Sequence, residues 1–189
     1  MKRFIIMTVG KTHSGKTTFA NRLEERLENA VVVDQDRHAA FINTYYRKLL
    51  AKEGPNTFKT ALTKTIVQHA VEETDCHLIV CNSNRSRSGR LRLLDYYHQK
   101  GFKSIVVDFN IPHHILEERI AGSRRSTAIF RNPTTFQALL ERQGAESSDD
   151  DVKRPVEGEA DYLFVIHDQG DVEGVIENII GISQSEILK

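Results

Sequence analysis

The sequence lacks an excess of charge of either sign, because its 26 Lys and Arg residues balance its 26 Asp and Glu residues. This balance excludes a strongly cationic protein whose whole surface holds nucleic acid, so we expect no binding to extended duplexes. Long apolar runs are missing too. No stretch approaches the roughly 18 apolar residues of a membrane-spanning helix, and the first apolar run, Phe4–Val9, is too short for a signal peptide. We therefore expect no membrane partner.

Cysteine is scarce, and its placement excludes a cysteine metal site. Cys76 and Cys81 flank an apolar run without metal-type spacing, so we expect free, buried thiols in a cytoplasmic protein. With 39% hydrophobic and 28% charged residues, the 189-residue chain can bury a sizeable core, which excludes disorder over its whole length. We expect a single domain over residues 1–189.

Five short β-branched runs predict strands covered on both faces, because their apolar residues are near-continuous rather than alternating. The runs are Phe4–Val9, Ala30–Val33, His77–Val80, Ser104–Phe109 and Tyr162–Ile166. Helical patterns lie between them, so the sequence predicts an α/β fold with a five-stranded parallel sheet and helices on both faces. Ligands of such sheets bind beyond the carboxyl ends of the strands.

Two features outside the strands carry further predictions. Phe41, Tyr45 and Leu49 recur at four-residue spacing and predict the apolar face of a second helix. The polar stretch Gly144–Ala160 predicts a mobile surface loop before the last strand.

The first predicted strand runs directly into Gly10-Lys11-Thr12-His13-Ser14-Gly15-Lys16-Thr17, and an amphipathic helix follows. This is a complete G-x-x-x-x-G-K-S/T phosphate loop, or P-loop, in the context that the motif requires. Its glycines let backbone N–H groups approach phosphate oxygens at the positive end of the helix. Lys16 would reach the β- and γ-phosphates and Thr17 would bind Mg²⁺. We expect residues 10–18, including Thr18, to bind a nucleoside triphosphate.

The base should be adenine, since the Asn/Thr-Lys-x-Asp motif of guanine-selective switches is missing. The third strand ends in Cys81-Asn82, without the carboxylate that motor-type ATPases place there. Asp108 in the fourth strand imitates that carboxylate. We expect it to lie on the other side of the P-loop strand and to be mainly structural.

The second strand ends in Asp34-Gln35-Asp36-Arg37, opposite the P-loop. A carboxylate there can accept the proton of a hydroxyl that attacks the γ-phosphate. We assign this role to Asp36 and expect Asp34 and Arg37 to contact the acceptor. Either aspartate could instead cap the helix that follows.

Two groups of arginines follow strand ends. Arg85, Arg87, Arg90 and Arg92 come after the third strand, and Arg119, Arg124, Arg125 and Arg131 come after the fourth. Guanidinium groups stabilise the charge that phosphoryl transfer spreads over phosphate oxygens. The segment 119–132 predicts a lid that closes over ATP and brings a catalytic arginine, Arg125, into the site.

These motifs together resemble the P-loop kinase superfamily. They are the P-loop, the acidic end of the second strand, Asn82-Ser83-Asn84 with Arg90 downstream, and Asp108–Pro112 leading to Arg119 and the lid. Within the superfamily the chain is most similar to the kinase domain of the 5′-polynucleotide kinases, over roughly residues 1–143. Zeta-toxin-like and small-molecule kinases share the same frame.

The resemblance implies a kinase-type P-loop fold with a small lid, and a set of roles. Asp36 would activate a 5′-hydroxyl, and Arg119 with Arg124 or Arg125 would bind the nucleotide. Asn82, Asn84 and Arg90 would contact the acceptor. The sequence departs from the family pattern because its two aspartates are separated by one residue rather than adjacent.

The function expected from the sequence is transfer of the γ-phosphoryl group of ATP to a hydroxyl. The acceptor could be a nucleic-acid 5′-end, a nucleoside or another small metabolite. Two alternatives remain open: a P-loop ATP hydrolase or switch coupled to a partner, and a non-catalytic ATP-binding module.

Overall fold

A parallel sheet of five strands forms the centre of the structure, a computed structural model that describes residues 2–187. The strands are β1 (Phe4–Val9), β2 (Ala30–Val33), β3 (His77–Cys81), β4 (Lys103–Phe109) and β5 (Tyr162–Ile166). Their order is β2-β3-β1-β4-β5 with parallel neighbours throughout, which confirms the predicted α/β fold. The predicted domain bounds at residues 1 and 189 lie outside the described residues.

Helices connect successive strands and cover both faces of the sheet. They are α1 (Lys16–Arg26), α2 (Gln35–Tyr45), α3 (Thr57–Glu73), α4 (Arg87–Gln99), α5 (His113–Ala121), α6 (Phe136–Ala145) and α7 (Asp171–Ile187), with 3₁₀ turns at Arg47–Leu49, Thr127–Ile129 and Glu146–Ser148. Within residues 2–187, no helix is both long enough and apolar enough to cross a membrane.

The core has two sides because neighbouring residues of a strand face opposite sides of the sheet. Ile6 packs in one apolar cluster with Phe19 of α1 and Ile176 of α7. Ile5 packs in another with Tyr97 of α4. Burial on both sides explains why the strand sequences are apolar without alternation.

The second helix differs from its prediction. It ends at Tyr45, and Phe41, Tyr45 and Leu49 are 46%, 71% and 69% exposed. Its buried face instead carries Ile42 and Asn43. This face packs against the 3₁₀ turn of the lid, where the Asn43 side chain donates a hydrogen bond to the Ala128 carbonyl at 2.7 Å. Contact with the lid, rather than apolar spacing, therefore orients α2.

Arg90, expected to contact an acceptor, is a buried structural residue. It is 1% exposed, and its Nη2 and Nε atoms donate to Glu159 Oε2 at 2.8 and 3.1 Å. Its Nη1 donates to the carbonyls of Asn84, Arg85 and Lys153. These bonds occupy the guanidinium in the protein interior, so the prediction for Arg90 is wrong.

Asn84 is structural for a similar reason. Its side-chain amide donates to the Thr8 carbonyl at 2.9 Å, and its backbone adopts a left-handed φ of 44°. Asn84 therefore shapes the loop after β3 and connects it to β1, and it does not line the cavity described below.

The segment 144–160 lies largely at the surface before β5 and has several contacts with the rest of the chain, while its mobility stays a prediction. Val152 forms an antiparallel bridge with Ser86, and the Arg87 N–H donates to the Asp151 carbonyl at 2.6 Å. Arg154 pairs with Asp108 at 2.7 Å. Polar side chains of this segment thus find partners elsewhere in the chain, which its composition alone did not predict.

Asp108 lies in β4, on the opposite side of β1 from β3, as predicted. Burial raises the pKa of Asp108, and the ion pair with Arg154 opposes that rise. The carboxylate is 3% exposed and points away from solvent, in agreement with a structural role.

We predict that Glu159→Ala lowers the free energy of unfolding by about 3–5 kcal/mol, because it leaves the buried Arg90 charge without its carboxylate. Urea denaturation at pH 7 measures the change. A matched control is Glu177→Ala, which removes a solvent-exposed partner of Arg26 and should cost less than about 1 kcal/mol. Equal small losses in both variants would contradict a buried role for the Arg90–Glu159 pair.

Candidate active site

A cavity of about 860 Å³ lies over the carboxyl ends of β1, β3 and β4. Its size is within the range of small-molecule and cofactor sites. The lining comes from the P-loop, the start of α2, the lid, α6 and the loop before α7, and includes Thr12–Thr18, Asp36, Lys59, Asn82, Arg119, Arg125 and Gln143. One cavity thus brings together most of the residues that the sequence assigned to the nucleotide, but only some of those assigned to the acceptor.

The P-loop has the backbone that its glycines allow. Gly10 has a φ of 149°, and a Cβ atom there would lie 2.9 Å from Phe109 Cβ, so only glycine fits. Gly15, with a φ of 101°, precedes α1 without a side-chain cap. The first N–H groups of α1 therefore remain available to an anion. Gly10 and Lys11 belong to the loop but do not line the cavity.

Lys16 is held within the P-loop itself. Its Nζ donates to the Lys11 carbonyl and, at 3.1 Å, to Ser14 Oγ. Burial lowers the pKa of Lys16 to about 8, and Arg125 acts in the same direction while Asp36 opposes it. The ammonium group is therefore short of negative partners and suited to receive a phosphate.

Asp34 lies beside Thr17 rather than in the cavity, which corrects the expectation that it contacts the acceptor. Thr17 Oγ1 donates to Asp34 Oδ2 at 3.5 Å, and Asp34 Oδ1 caps α2 by accepting from the Asp36 N–H at 2.8 Å. Asp34 is 2% exposed. It therefore orients the hydroxyl assigned to Mg²⁺ and starts the helix that carries Asp36.

Asp36 and Arg125 form an ion pair at 2.6 Å across the cavity. The Arg125 guanidinium also lies over the Phe136 ring, 5.1 Å from its centroid. The backbone N–H of Arg125 donates to Ser123 Oγ at 3.1 Å. The lid thus brings its arginine to the carboxylate at the end of β2, although these residues are 89 positions apart in the chain.

His13 connects the P-loop with the lid, a role that the sequence did not reveal. Its Nε2 lies 3.0 Å from Ser123 Oγ, and its ring packs edge-on against Phe136 at 4.7 Å. Burial lowers the pKa of His13, with smaller effects in the same direction from Arg125 and Lys16. A neutral imidazole at pH 7 avoids a further positive charge at a site that is already cationic.

The remaining candidates divide between the cavity and the surface. Arg119 Nη1 donates to the His13 carbonyl at 3.2 Å, so it lies against the P-loop. Asn82 lines the cavity, and its Oδ1 accepts from the Gln35 N–H at 3.2 Å.

Arg124 and Arg37 are exposed and do not line the cavity. Arg37 donates to Asn21 instead. The binding roles predicted for these two arginines lack support in the geometry.

Gln143 is a residue that sequence reasoning missed. It is buried in α6, and its Oε1 accepts from the Thr12 N–H of the P-loop at 2.8 Å. No sequence motif includes Gln143. A single glutamine on an amphipathic helix does not indicate contact with a loop 131 positions away in the chain.

We predict proton uptake when ATP binds, because phosphates should raise the lowered pKa of Lys16. At pH 8 the unliganded side chain is about half deprotonated, so binding should take up about half a proton. Affinity for Mg²⁺-ATP should accordingly fall as the pH rises from 7 to 9. Calorimetric titrations in buffers of different ionisation enthalpy measure the uptake.

The matched control for this measurement is Lys16→Arg, whose guanidinium stays protonated throughout that range. The variant should bind ATP without proton uptake. Equal uptake by the variant and the unchanged protein would show that another group takes the proton.

The comparisons with solved structures give the fold. Mycobacterium tuberculosis APS kinase CysC in complex with AMPPNP and APS is 16% identical, with coverage of 97% of this chain and 98% of that chain and a TM-score of 0.59. Shikimate kinase from Bacteroides thetaiotaomicron is 14% identical, with coverage of 96% and 98% and a TM-score of 0.57. Chaetomium thermophilum Kti12 in complex with ADP-AlF3 is 17% identical, with coverage of 93% and 96% and a TM-score of 0.62.

A comparison with curated proteins gave no significant match. The narrower resemblance to the 5′-polynucleotide kinases stays a prediction. A family model described as an AAA domain, AAA_33, matches residues 5–144, which is well over half of the chain and includes every motif of the cavity's phosphate side. The chain therefore belongs to the AAA_33 family and has the P-loop fold of the kinase type.

Proposed function

We propose that the protein transfers the γ-phosphoryl group of ATP to a hydroxyl acceptor. The observation that carries this proposal is the Asp36–Arg125 pair, at 2.6 Å, in the same cavity as Lys16 and Thr17. A carboxylate, a guanidinium and a phosphate loop around one cavity are groups that phosphoryl transfer uses. A simple ATP-binding module would need only the last of them.

The chemistry follows from these groups. The acceptor oxygen attacks the γ-phosphorus, a new P–O bond forms, and the bond from the γ-phosphorus to the bridging oxygen of ADP breaks. Asp36 accepts the hydroxyl proton, while Lys16 and the N-terminus of α1 stabilise the phosphate oxygens. The protein thus catalyses the reaction by positioning the reactants and neutralising charge, and no covalent intermediate with the protein is needed.

Magnesium fits the donor set of this proposal. Mg²⁺ keeps several waters and binds phosphates together with one or two protein oxygens. Thr17 Oγ1 beside the Asp34 carboxylate supplies such a pair. Across residues 2–187 no group of three or more His, Cys, Asp or Glu side chains forms a metal cage. When bound, the ion would neutralise charge on the β- and γ-phosphates.

The ion pair implies that the lid arginine changes partners during the reaction. While Arg125 donates to Asp36 Oδ2, that oxygen is occupied and does not face an acceptor hydroxyl. The γ-phosphate competes for the guanidinium, and phosphate binds arginine bidentately. Transfer of Arg125 to the phosphate would free Asp36 when ATP is present.

We predict that Asp36→Asn lowers the rate of transfer by about 10²–10⁴-fold, because the general base is lost. Binding of Mg²⁺-ATP should be kept or become tighter, because Arg125 no longer has to leave the Asp36 carboxylate. Labelled ATP with a panel of nucleic-acid 5′-ends, nucleosides and hydroxyl metabolites measures transfer, and calorimetry measures binding. Asp95→Asn removes an exposed carboxylate of α4 and should leave both values unchanged.

The same panel distinguishes the alternatives. Phosphate released to water without any phosphorylated acceptor would favour an ATP hydrolase or switch. Binding of ATP with neither product would favour a non-catalytic module. Full transfer by Asp36→Asn would contradict the assignment of the base while leaving the nucleotide site intact.

A further inference from the structure

A second cavity, of about 470 Å³, lies between the end of α2 and the lid. Its lining is Asn43, Thr44, Arg47, Ser126, Thr127, Ala128, Phe130, Asn132, Pro133 and Thr134. Phe130 lines both cavities, so this residue lies between them. None of the predicted site residues lines the second cavity.

The lining has the chemistry of an oxyanion site. It holds one guanidinium, four hydroxyl groups and two amides, and no carboxylate. Arg47 forms no ion pair with any residue in 2–187, and its side chain makes one long hydrogen bond, from Nη2 to the Arg131 carbonyl at 3.5 Å. Its charge is therefore available to a ligand, and arginine binds phosphate and carboxylate bidentately.

Asn43 gives an independent indication of a ligand. It is 7% exposed, and its Nδ2 is committed to the Ala128 carbonyl. Its Oδ1 is the buried side-chain atom that lacks a hydrogen-bond partner within the described residues. An unpaired buried acceptor is unfavourable, so the site favours a ligand that can donate a hydroxyl or N–H group. Because the atom is covered, a ligand donor can bond to it only if the contact between Asn43 and Ala128 of the lid moves.

The second cavity and the proposed base lie along the same face of α2. Asp36 and Asn43 are seven residues apart on α2, which places them on the same helix face and about 10 Å apart along the axis. An acceptor whose hydroxyl lies at Asp36 could therefore extend past Phe130 into the second cavity. A single small ring would be too short to reach both.

We propose that this cavity binds the distal end of the acceptor, and that this end carries an oxyanion beside a hydrogen-bond donor. The inference depends on the proposed function, because it assigns the far end of the substrate of the same reaction. It narrows the substrate class to elongated molecules that carry a hydrogen-bond donor about 10 Å from the reacting hydroxyl, with a phosphate or carboxylate beyond that donor. Arg47 binds the anion and Asn43 Oδ1 accepts from the neighbouring hydroxyl or N–H.

The test measures binding without turnover, so that it does not depend on the reaction. The P-loop is first filled with Mg²⁺ and AMPPNP. The protein is then titrated with ribose 5-phosphate, ribonate, ribose and inorganic phosphate, and the side-chain amide signals of ¹⁵N-labelled Asn43 report the location. Ribose 5-phosphate or ribonate should bind at least about tenfold more tightly than ribose and shift the Asn43 signals.

The variants assign the effect to the cavity. Arg47→Met should weaken binding of the anion by about tenfold or more. Lys48→Met removes the neighbouring exposed cation, which does not line the cavity, and should leave the affinity unchanged. Preference for ribose 5-phosphate identifies a phosphorylated acceptor, and preference for ribonate identifies a carboxylated one.

Two results would overturn the proposal. One is the absence of saturable binding by either anion up to about 10 mM. The other is equal affinity in Arg47→Met and the unchanged protein. Either result would leave the Asp36 transfer assay unaffected, whereas failure of that assay would remove the proposed reaction without changing the binding measured here.

Discussion

Parallel pairing of β1 between β3 and β4 is the constraint on which the active site depends. Because the strands share one direction, their carboxyl ends meet at one edge, and the segments after β1, β2 and β3 bring the P-loop, Asp36 and Asn82 to one cavity. A shift of one residue in this register would exchange the faces of Ile5 and Ile6 and misplace every loop. The arrangement of the cavity therefore depends on burial of apolar side chains that do not line it.

The sheet and the phosphate loop could be predicted because their signals are local. Three of the five strands have the predicted bounds, and the other two differ by one residue at one end. A near-continuous β-branched run is compatible with few structures other than a covered strand. The P-loop motif likewise contains its own backbone requirements, at Gly10 and Gly15.

The parts that could not be predicted are those decided by partners distant in the chain. Arg90 has the sequence context of a ligand-binding arginine, and only the position of Glu159 shows that it is buried and paired. Asp34 could have pointed toward an acceptor, but it caps α2 and accepts from the Thr17 hydroxyl instead. The spacing of Phe41 and Tyr45 suggested a buried face, yet packing against the lid selects another face of α2.

The segment after α6, together with β5, completes the fold beyond the residues that the family model matches. The family model ends at residue 144, but β5 completes the sheet beside β4, and two buried charges, Arg90 and Asp108, find their counter-ions at Glu159 and Arg154. Within the described chain, residues 149–159 do not line either cavity. A chain cut back to the residues that the family model matches would therefore leave Arg90 and Asp108 as buried charges without their counter-ions.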